Sequence, residues 1–165
     1  MPRRSAGLLP FRLAGDGVLH LFLVHPGGPF WSTRDVGAWS VAKGEYGEDE
    51  EPASAAEREF AEELGVAAPP GPRIDLGQVV QSGGKQVRAW AVEAPDFAVD
   101  RVVSNTFEME WPPRSGERRS FPEVDRADWV SATTARLKLV GAQVAFVDRL
   151  LAHLREAGRT VAEGT

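Results

Sequence analysis

The sequence predicts a mixed α/β layer structure, and three observations predict it. Two apolar stretches, residues 6–13 and 18–25, flank a short turn that contains glycine, which is typical of a β-hairpin. Residues 52–64 have the start and stop signals of a helix, and apolar residues recur at helical spacing over residues 139–154. Strands on both sides of a helix favour one layered α/β core.

Composition limits the class of protein. The chain has 165 residues, 42% of them hydrophobic and 26% charged, which is typical of an ordinary soluble globular protein. This length is enough to bury one hydrophobic core without stabilisation by disulfides or metals, so we expect a single domain over residues 1–165. There is no cysteine. Disulfides and thiolate metal sites are therefore excluded, and any metal must be held by oxygen or imidazole.

Charge and apolar runs limit the partners. No run approaches the roughly 18 apolar residues that a membrane span needs, so we expect no membrane partner. The first 13 residues contain Gly7, Pro10 and Arg12 in place of an unbroken apolar segment, so we expect no signal peptide and a cytoplasmic location. The formal charge of -5 argues against general nucleic-acid binding. It leaves small nucleotides open, because a bridging divalent cation can supply positive charge.

The first half of the chain predicts a hairpin, a loop and a helix. After the hairpin, the segment 26–35 contains glycine, proline and two aromatic residues, which indicates a long loop. The helix is predicted over Pro52–Leu64, with proline in the first turn and Gly65 just past the end.

The second half predicts another hairpin and a final helix. Residues 74–81 and 86–93 flank a Ser-Gly-Gly-Lys turn. Short strands are predicted at 107–111 and 128–130, and the helix over 139–154 presents one apolar face. We expect residues 158–165 to fray.

Three carboxylates of the first helix share one face. Glu59, Glu62 and Glu63 stand at positions i, i+3 and i+4, where like charges repel. A solvated face with salt bridges is the ordinary explanation for such a helix. A divalent cation would also relieve the repulsion, and oxygen ligands favour Mg²⁺ or Mn²⁺, which characteristically join carboxylates to substrate phosphates.

A glycine-containing loop precedes this helix. The segment from Gly44 to Gly47 can turn tightly and bring backbone groups toward the same metal or a phosphate. A cation there acidifies and orients an attacking water and neutralises the oxygens on which charge builds as the P–O bond breaks. A spare carboxylate can accept the proton.

The spacing from Gly44 to Val66 resembles the Nudix box at each of its fixed positions. Five residues separate Gly44 from Glu50 and seven more precede Arg58-Glu59, after which come an apolar residue, the Glu62-Glu63 pair, glycine and an apolar residue. The resemblance implies an α/β/α sandwich around a central mixed sheet. It also implies hydrolysis of a phosphoanhydride bond with Mg²⁺ or Mn²⁺, by a water that the metal activates.

The same resemblance implies roles for individual residues. Glu59, Glu62 and Glu63 become metal ligands, with Gly44 offering its backbone carbonyl. Arg58 orients the carboxylates, and Glu50 is its structural partner. The catalytic base is either a glutamate of the box or one from a loop outside it, and Glu123 is the candidate outside the box, with an exposed loop carboxylate as the alternative.

Substrate contacts are predicted from cationic and aromatic residues. Lys43, immediately before the box, is the first candidate for meeting a phosphate, with Arg34 and Lys85 as further candidates, although solvated surface charge is the ordinary alternative. A tryptophan can stack on a base but more often packs in a core. The tryptophans considered for stacking are Trp31, Trp39 and Trp90.

The substrate class stays open between several hypotheses. The lead-in from Trp39 to Glu45 resembles the diadenosine polyphosphate and diphosphoinositol branch, and the stretch from Ser104 to Pro113 resembles bacterial predicted nucleoside triphosphate pyrophosphohydrolases. We therefore expect a nucleoside or dinucleoside polyphosphate as substrate. The alternatives are ADP-ribose or a nucleotide sugar, a capped or triphosphorylated RNA end, and a non-catalytic nucleotide sensor. Homodimerisation is common in the family, but nothing in this sequence fixes it.

Overall fold

A computed structural model describes residues 2–165, which form eight strands and three α-helices. The first half contains β1 (Arg4–Leu13), β2 (Leu19–Pro26), β3 (Ala42–Glu45), α1 (Pro52–Leu64) and β4 (Arg73–Val80). The second half contains β5 (Gln86–Glu93), β6 (Thr106–Glu110), β7 (Arg118–Pro122), β8 (Val124–Ser131), α2 (Ala132–Lys138) and α3 (Val144–Glu156). No helix in this part of the chain combines the length and apolarity that a bilayer span requires.

The central sheet is mixed. Its strand order is β4-β5-β1-β2-β8, with β3 also paired to β1, while β6 and β7 form a separate two-stranded ribbon. β1 runs parallel to β5, and the other pairs in the sheet are antiparallel. The two predicted hairpins, β1–β2 and β4–β5, are thereby confirmed.

One edge of β1 is shared by two strands. β3 pairs with residues 5–8 of β1, and β2 pairs with residues 11–13. β2 and β3 therefore diverge along this edge, since each strand occupies only part of it. The space between them opens the cavity described below.

The two faces of the sheet carry separate apolar cores. Phe60 and Leu64 of α1 pack on one face with Leu8 of β1, and Leu150 of α3 packs on the other face with Leu9. Adjacent residues of β1 point to opposite faces because side chains alternate along a strand. Both cores are buried, so helices cover both faces and the predicted α/β/α sandwich is confirmed.

Local signals fix the ends of α1. The Glu51 side chain accepts hydrogen bonds from the backbone N–H groups of Ala53 and Ser54, which satisfies donors that the first turn leaves free. Pro52 opens the helix, and Gly65 ends it in the left-handed conformation, with φ of 77°. The predicted bounds of this helix are confirmed.

Elsewhere the predicted elements need correction. β3, β7 and α2 were not predicted, and β8 extends well before the predicted 128–130. The predicted helix over 139–154 begins later, because a 3₁₀ turn at Gly141–Gln143 precedes α3. β3 has only four residues, too few to show an alternating pattern, and its existence depends on pairing with β1.

The prediction that residues 158–165 fray is wrong. Val161 is buried, and the backbone N–H of Ala162 donates to the Gly17 carbonyl at 3.0 Å. Arg136 of α2 donates to Glu163 at 2.6 Å. An apolar anchor and a backbone hydrogen bond tie this segment to the body of the protein, although its sequence has no periodic pattern.

Candidate active site

A cavity of about 760 Å³ lies where β2 and β3 diverge. α1, the loop before β8 and the β4–β5 turn all contribute residues to its lining. Its polar lining side chains are Ser40, Lys43, Glu45, Glu59, Glu63, Gln81, Ser82, Lys85 and Glu123. Trp31 and Phe107 add aromatic surface to the lining. Carboxylates and ammonium groups therefore face the same space.

Arg58 joins the loop before α1 to the acidic face of α1. Its Nε and Nη2 donate to both oxygens of Glu50 at 2.7 and 2.8 Å, a bidentate pair that confirms the predicted partnership. Its Nη1 donates to Glu59 Oε1 at 2.8 Å and Glu62 Oε2 at 3.0 Å. One guanidinium thus holds two of the three predicted ligands in fixed positions and lowers the pKa of Glu50.

Two of the three helix carboxylates are buried. Glu59 is 8% exposed and Glu63 is 7% exposed, whereas the Glu62 side chain is 38% exposed. Burial raises the pKa of Glu59, against the opposing effect of Arg58. Burial, contact with the Glu123 carboxyl and the charges of neighbouring glutamates raise the pKa of Glu63 to about 8. Buried carboxylates need a compensating positive charge, and here that need is only partly met.

Lys43 and Lys85 supply positive charge in the same cavity as these carboxylates. Lys43 lies at the start of β3 and is partly buried. Burial first, and then the nearby Lys85 ammonium, lower the pKa of Lys43 to about 8, while Glu63 opposes that shift. Lys85 reaches the cavity from the β4–β5 turn. Two ammonium groups held close together form a site suited to an anion.

Glu123 is held over the cavity by its backbone. Its N–H donates to the Asn105 carbonyl at 2.9 Å, and its carbonyl accepts from Gly27 N–H at 2.9 Å. The Asn105 N–H in turn donates to the carbonyl of Glu62 at the end of α1. The loop before β8 is therefore linked to α1, which places the Glu123 carboxyl in contact with Glu63.

Gly44 lies directly against Glu59. A Cβ built on Gly44 would meet Glu59 Oε2 at 1.8 Å, closer than any real contact. Gly44 pairs with Ala6 of β1, so β3 cannot move away without losing that pairing. The absent side chain leaves room for the carboxylate beside the backbone of β3.

The donor set fits a hard divalent cation. Glu59, Glu62 and Glu63 offer carboxylate oxygens from one helix face, Gly44 leaves space beside Glu59 Oε2, and the burial of Glu63 is incompletely compensated. Within residues 2–165, no group of three or more acidic or histidine side chains is already arranged to hold an ion. The reason is visible in the contacts: Arg58 engages Glu59 and Glu62, while Glu63 turns toward Glu123.

The structure separates the predicted substrate contacts into two groups. Lys43 and Lys85 line the cavity. Trp39 does not, because its side chain is 4% exposed in the core on the α3 face and its Nε1 donates to Asp35 at 2.7 Å. The prediction that Trp39 contacts substrate is therefore wrong. Arg34 also lies outside the lining, with its guanidinium 5.3 Å from the Trp31 ring centroid.

Sequence reasoning missed Gln81, Ser82 and Phe107 in the lining. Gln81 and Ser82 lie at the end of a predicted strand and in its turn, where polar residues are ordinary. Phe107 belonged to a weakly predicted strand and enters the lining because Gly28 accommodates its ring, with an added Cβ meeting Phe107 Cζ at 2.8 Å. Trp31, considered for stacking, does line the cavity and is 38% exposed.

The chain combines an α/β/α sandwich with a cavity that carboxylates of α1 and two lysines line together. A family model described as NUDIX domain matches residues 1–150, and the chain therefore belongs to the Nudix family. The chain is a Nudix pyrophosphohydrolase. No curated protein matches it.

Solved structures share this fold. A Caenorhabditis elegans Ap4A hydrolase in a binary complex is 17% identical with a TM-score of 0.66, covering 93% of this chain and 98% of that one. The NUDIX domain of Shewanella oneidensis NrtR, complexed with ADP ribose, is 15% identical with a TM-score of 0.64, covering 93% and 89%. The Mycobacterium smegmatis Nudix hydrolase RenU is 22% identical with a TM-score of 0.57, covering 96% and 88%. At these identities the likeness establishes the fold.

Proposed function

We propose that this enzyme hydrolyses a phosphoanhydride bond of nucleoside or dinucleoside polyphosphates and uses Mg²⁺ or Mn²⁺. One observation carries the proposal: Glu59 and Glu63 of α1 line the same cavity as Lys43 and Lys85. A polyphosphate chain is anionic along its length. Ammonium groups can bind it directly, and carboxylates can bind it through a divalent cation.

The residues of the box would hold the cation. Glu59, Glu62 and Glu63 would supply carboxylate oxygens and Gly44 its carbonyl, with Arg58 orienting Glu59 and Glu62. When bound, such an ion withdraws charge from the phosphoryl oxygens and makes an attacking water more acidic. Binding requires that Glu59 and Glu62 share their oxygens between Arg58 and the ion. Hydrogen bonds from a neighbouring side chain to the ligating carboxylates commonly tune metal affinity.

Glu123 is our candidate for the general base. Its carboxyl lines the cavity beside Glu63, and two backbone hydrogen bonds position its peptide. A general base must lie within hydrogen-bonding reach of the water it deprotonates. A cavity-lining carboxylate outside the proposed metal-ligand set supports this role, with a glutamate of the box as the alternative.

The substrate class is supported by the shape and charge of the cavity. Its volume of about 760 Å³ is that of a small-molecule site. Trp31 and Phe107 offer aromatic surface for a nucleobase, and the lysines offer cations for phosphates. ADP-ribose is the competing substrate, since the NrtR domain that shares this fold was solved with it.

The experiment compares turnover on a panel of nucleoside triphosphates, dinucleoside polyphosphates and ADP-ribose, with and without Mg²⁺ or Mn²⁺. Glu62→Gln should lose activity by about 10³-fold, because a metal ion contributes several kcal/mol to the transition state. Glu57→Gln is the matched control, since Glu57 lies on α1, pairs with Arg73 and does not line the cavity. It should retain wild-type turnover.

Thermal unfolding gives a second readout that needs no turnover. Mg²⁺ or Mn²⁺ should raise the Tm of wild type and of Glu57→Gln and have little effect on Glu62→Gln, because a ligand that binds only the folded state stabilises it. Turnover confined to ADP-ribose would replace our substrate class. Nucleotide binding without turnover on any panel member would leave a nucleotide sensor, and wild-type turnover by Glu123→Ala would remove Glu123 as the base.

A further inference from the structure

Gln143 is a buried polar residue whose side chain makes no hydrogen bond to its own helix, α3. It stands at the N-cap position of α3, is 0% exposed and makes no side-chain capping bond. Its amide instead reaches across the molecule to Val41 and Gln81. A buried amide in a cap position would ordinarily bond the free N–H groups of the first turn. The direction of this side chain therefore needs another explanation.

The orientation of the Gln143 amide follows from a backbone group. Val41 N–H lies 3.0 Å from Oε1 of Gln143, and a backbone N–H can only donate. The atom that faces Val41 must therefore be the oxygen. The NH₂ group is then forced to the other side, where it donates to Gln81 Oε1 at 2.8 Å and Ser40 Oγ at 3.0 Å.

The same logic fixes Gln81. Because Gln143 presents donors, Gln81 must present its oxygen to them, and its own NH₂ group is left on the opposite side. Gln81 lines the cavity. Within residues 2–165 no acceptor takes a hydrogen bond from Gln81 Nε2. A backbone N–H of the core thus determines, through two amides, which atom of Gln81 faces the substrate space.

We propose that Gln81 is a substrate-binding residue, oriented by Gln143, whose NH₂ group binds phosphate oxygens on the lysine side of the cavity. This inference rests on the proposed function and extends it to a residue that the box does not contain. Gln143 is the positioning residue, since it acts through Gln81.

The neighbours of Gln81 favour phosphate over a nucleobase. Gln81 N–H donates to the Lys85 carbonyl at 2.8 Å across the β4–β5 turn, and Lys85 lies close to Lys43. The two ammonium groups and the amide NH₂ group all offer hydrogen-bond donors. Phosphate oxygens only accept, whereas the edge of a base mixes donors and acceptors. Hydrogen bonds to a charged partner are also the stronger ones.

The test is calorimetric binding of a methylene-bridged, non-hydrolysable nucleoside triphosphate in the presence of Mg²⁺. Gln81→Glu keeps an oxygen for Gln143 and replaces the NH₂ group with a negative oxygen, so Kd should rise by about 10-fold or more. Gln78→Glu is the matched control, because Gln78 is exposed on β4, three residues before Gln81, and lies outside the cavity lining. It adds the same charge and should change Kd by less than about twofold.

Two further probes identify the bound group. The bare nucleoside should bind wild type and Gln81→Glu equally, and inorganic tripolyphosphate should show the same loss as the triphosphate. An equal loss for nucleoside and triphosphate would overturn phosphate binding in favour of base contact, and an unchanged Kd for all probes would overturn any contact. Wild type that binds tripolyphosphate through Gln81 but no nucleotide would refute the proposed function alone, and failure to bind either would refute both.

A double-mutant cycle tests the positioning by Gln143. Gln143→Met should weaken triphosphate binding in the wild-type background and add almost nothing in a Gln81→Leu background, because residues that act as a unit are not additive. A purely structural role would instead give the same loss in both backgrounds. Thermal unfolding of each variant, measured in parallel, distinguishes weaker binding by the folded protein from a smaller folded fraction.

Discussion

Helices α1 and α3 have the same length but bury different chemistry. Each has 13 residues and packs against one face of the central sheet. The buried residues of α3 are all apolar: Phe146, Val147, Leu150, Leu151 and Leu154. Those of α1 include two carboxylates, Glu59 and Glu63, beside the apolar Phe60 and Leu64. α1 therefore buries two carboxylates that line the cavity, whereas α3 buries only apolar side chains.

The acidic helix has two features that α3 lacks. Glu51 caps its first turn with a side chain, and Arg58 offsets part of its negative charge. α3 has no side-chain cap, and its N-cap residue Gln143 is used elsewhere. α1, which buries carboxylates, is therefore stabilised by a side-chain cap in addition to its apolar contacts. α3 is stabilised by apolar packing without such a cap.

The largest effect that distinguishes the helices is expected from Glu59→Gln on α1. The variant should lose kcat/KM by about 10³-fold, equivalent to roughly 4 kcal/mol, if the carboxylate holds a cation. Its free energy of unfolding should be unchanged or higher, because a neutral amide replaces a buried carboxylate. Turnover and urea unfolding measure the two quantities. If Glu59→Gln kept its activity but had a lower free energy of unfolding, Glu59 would contribute to stability and not to activity, contrary to the expectation for α1.

On α3 the opposite pattern is expected. Leu150→Ala removes a fully buried side chain and should lower the free energy of unfolding by about 2–5 kcal/mol. kcat/KM of the folded fraction should stay at the wild-type value, since Leu150 does not line the cavity. Leu137→Ala is the control, because Leu137 is 63% exposed and should change stability by less than about 0.5 kcal/mol. A loss of kcat/KM by the folded Leu150→Ala protein would contradict the expectation that Leu150 affects only stability.

A smaller effect is expected from Gly44→Ala, which disturbs α1 from outside. The added Cβ would displace the Glu59 carboxylate, so kcat/KM should fall by about 10-fold, as when a supporting contact of a site is lost. Gly47→Ala, in the same loop, has no heavy atom within 4 Å of its added Cβ and should behave as wild type. Equal losses in both variants would point to loop stiffness and away from Glu59.

Local patterns explain why much of the fold was predictable. The bounds of α1 depend on a proline, a glycine and helical spacing within the segment itself, and both hairpins depend on turns a few residues long. β3 and the docking of residues 158–165 depend on partners distant in the chain. The spacing of residues within these segments therefore does not predict them. Trp39 shows the same limit, since no local signal tells a stacking tryptophan from one packed in a core.

The sequence by itself determined the acidic face and its partner. Helical periodicity puts Glu59, Glu62 and Glu63 together, and the spacing to Glu50 allows Arg58 to join loop and helix. Tertiary structure alone decided what faces that acidic surface. Gln81 and Gln143 are 62 residues apart, and they meet because α3 and the 3₁₀ turn before it pack against β4 of the central sheet. Side chains joined over such distances are set by the packing of whole elements, which no short pattern encodes.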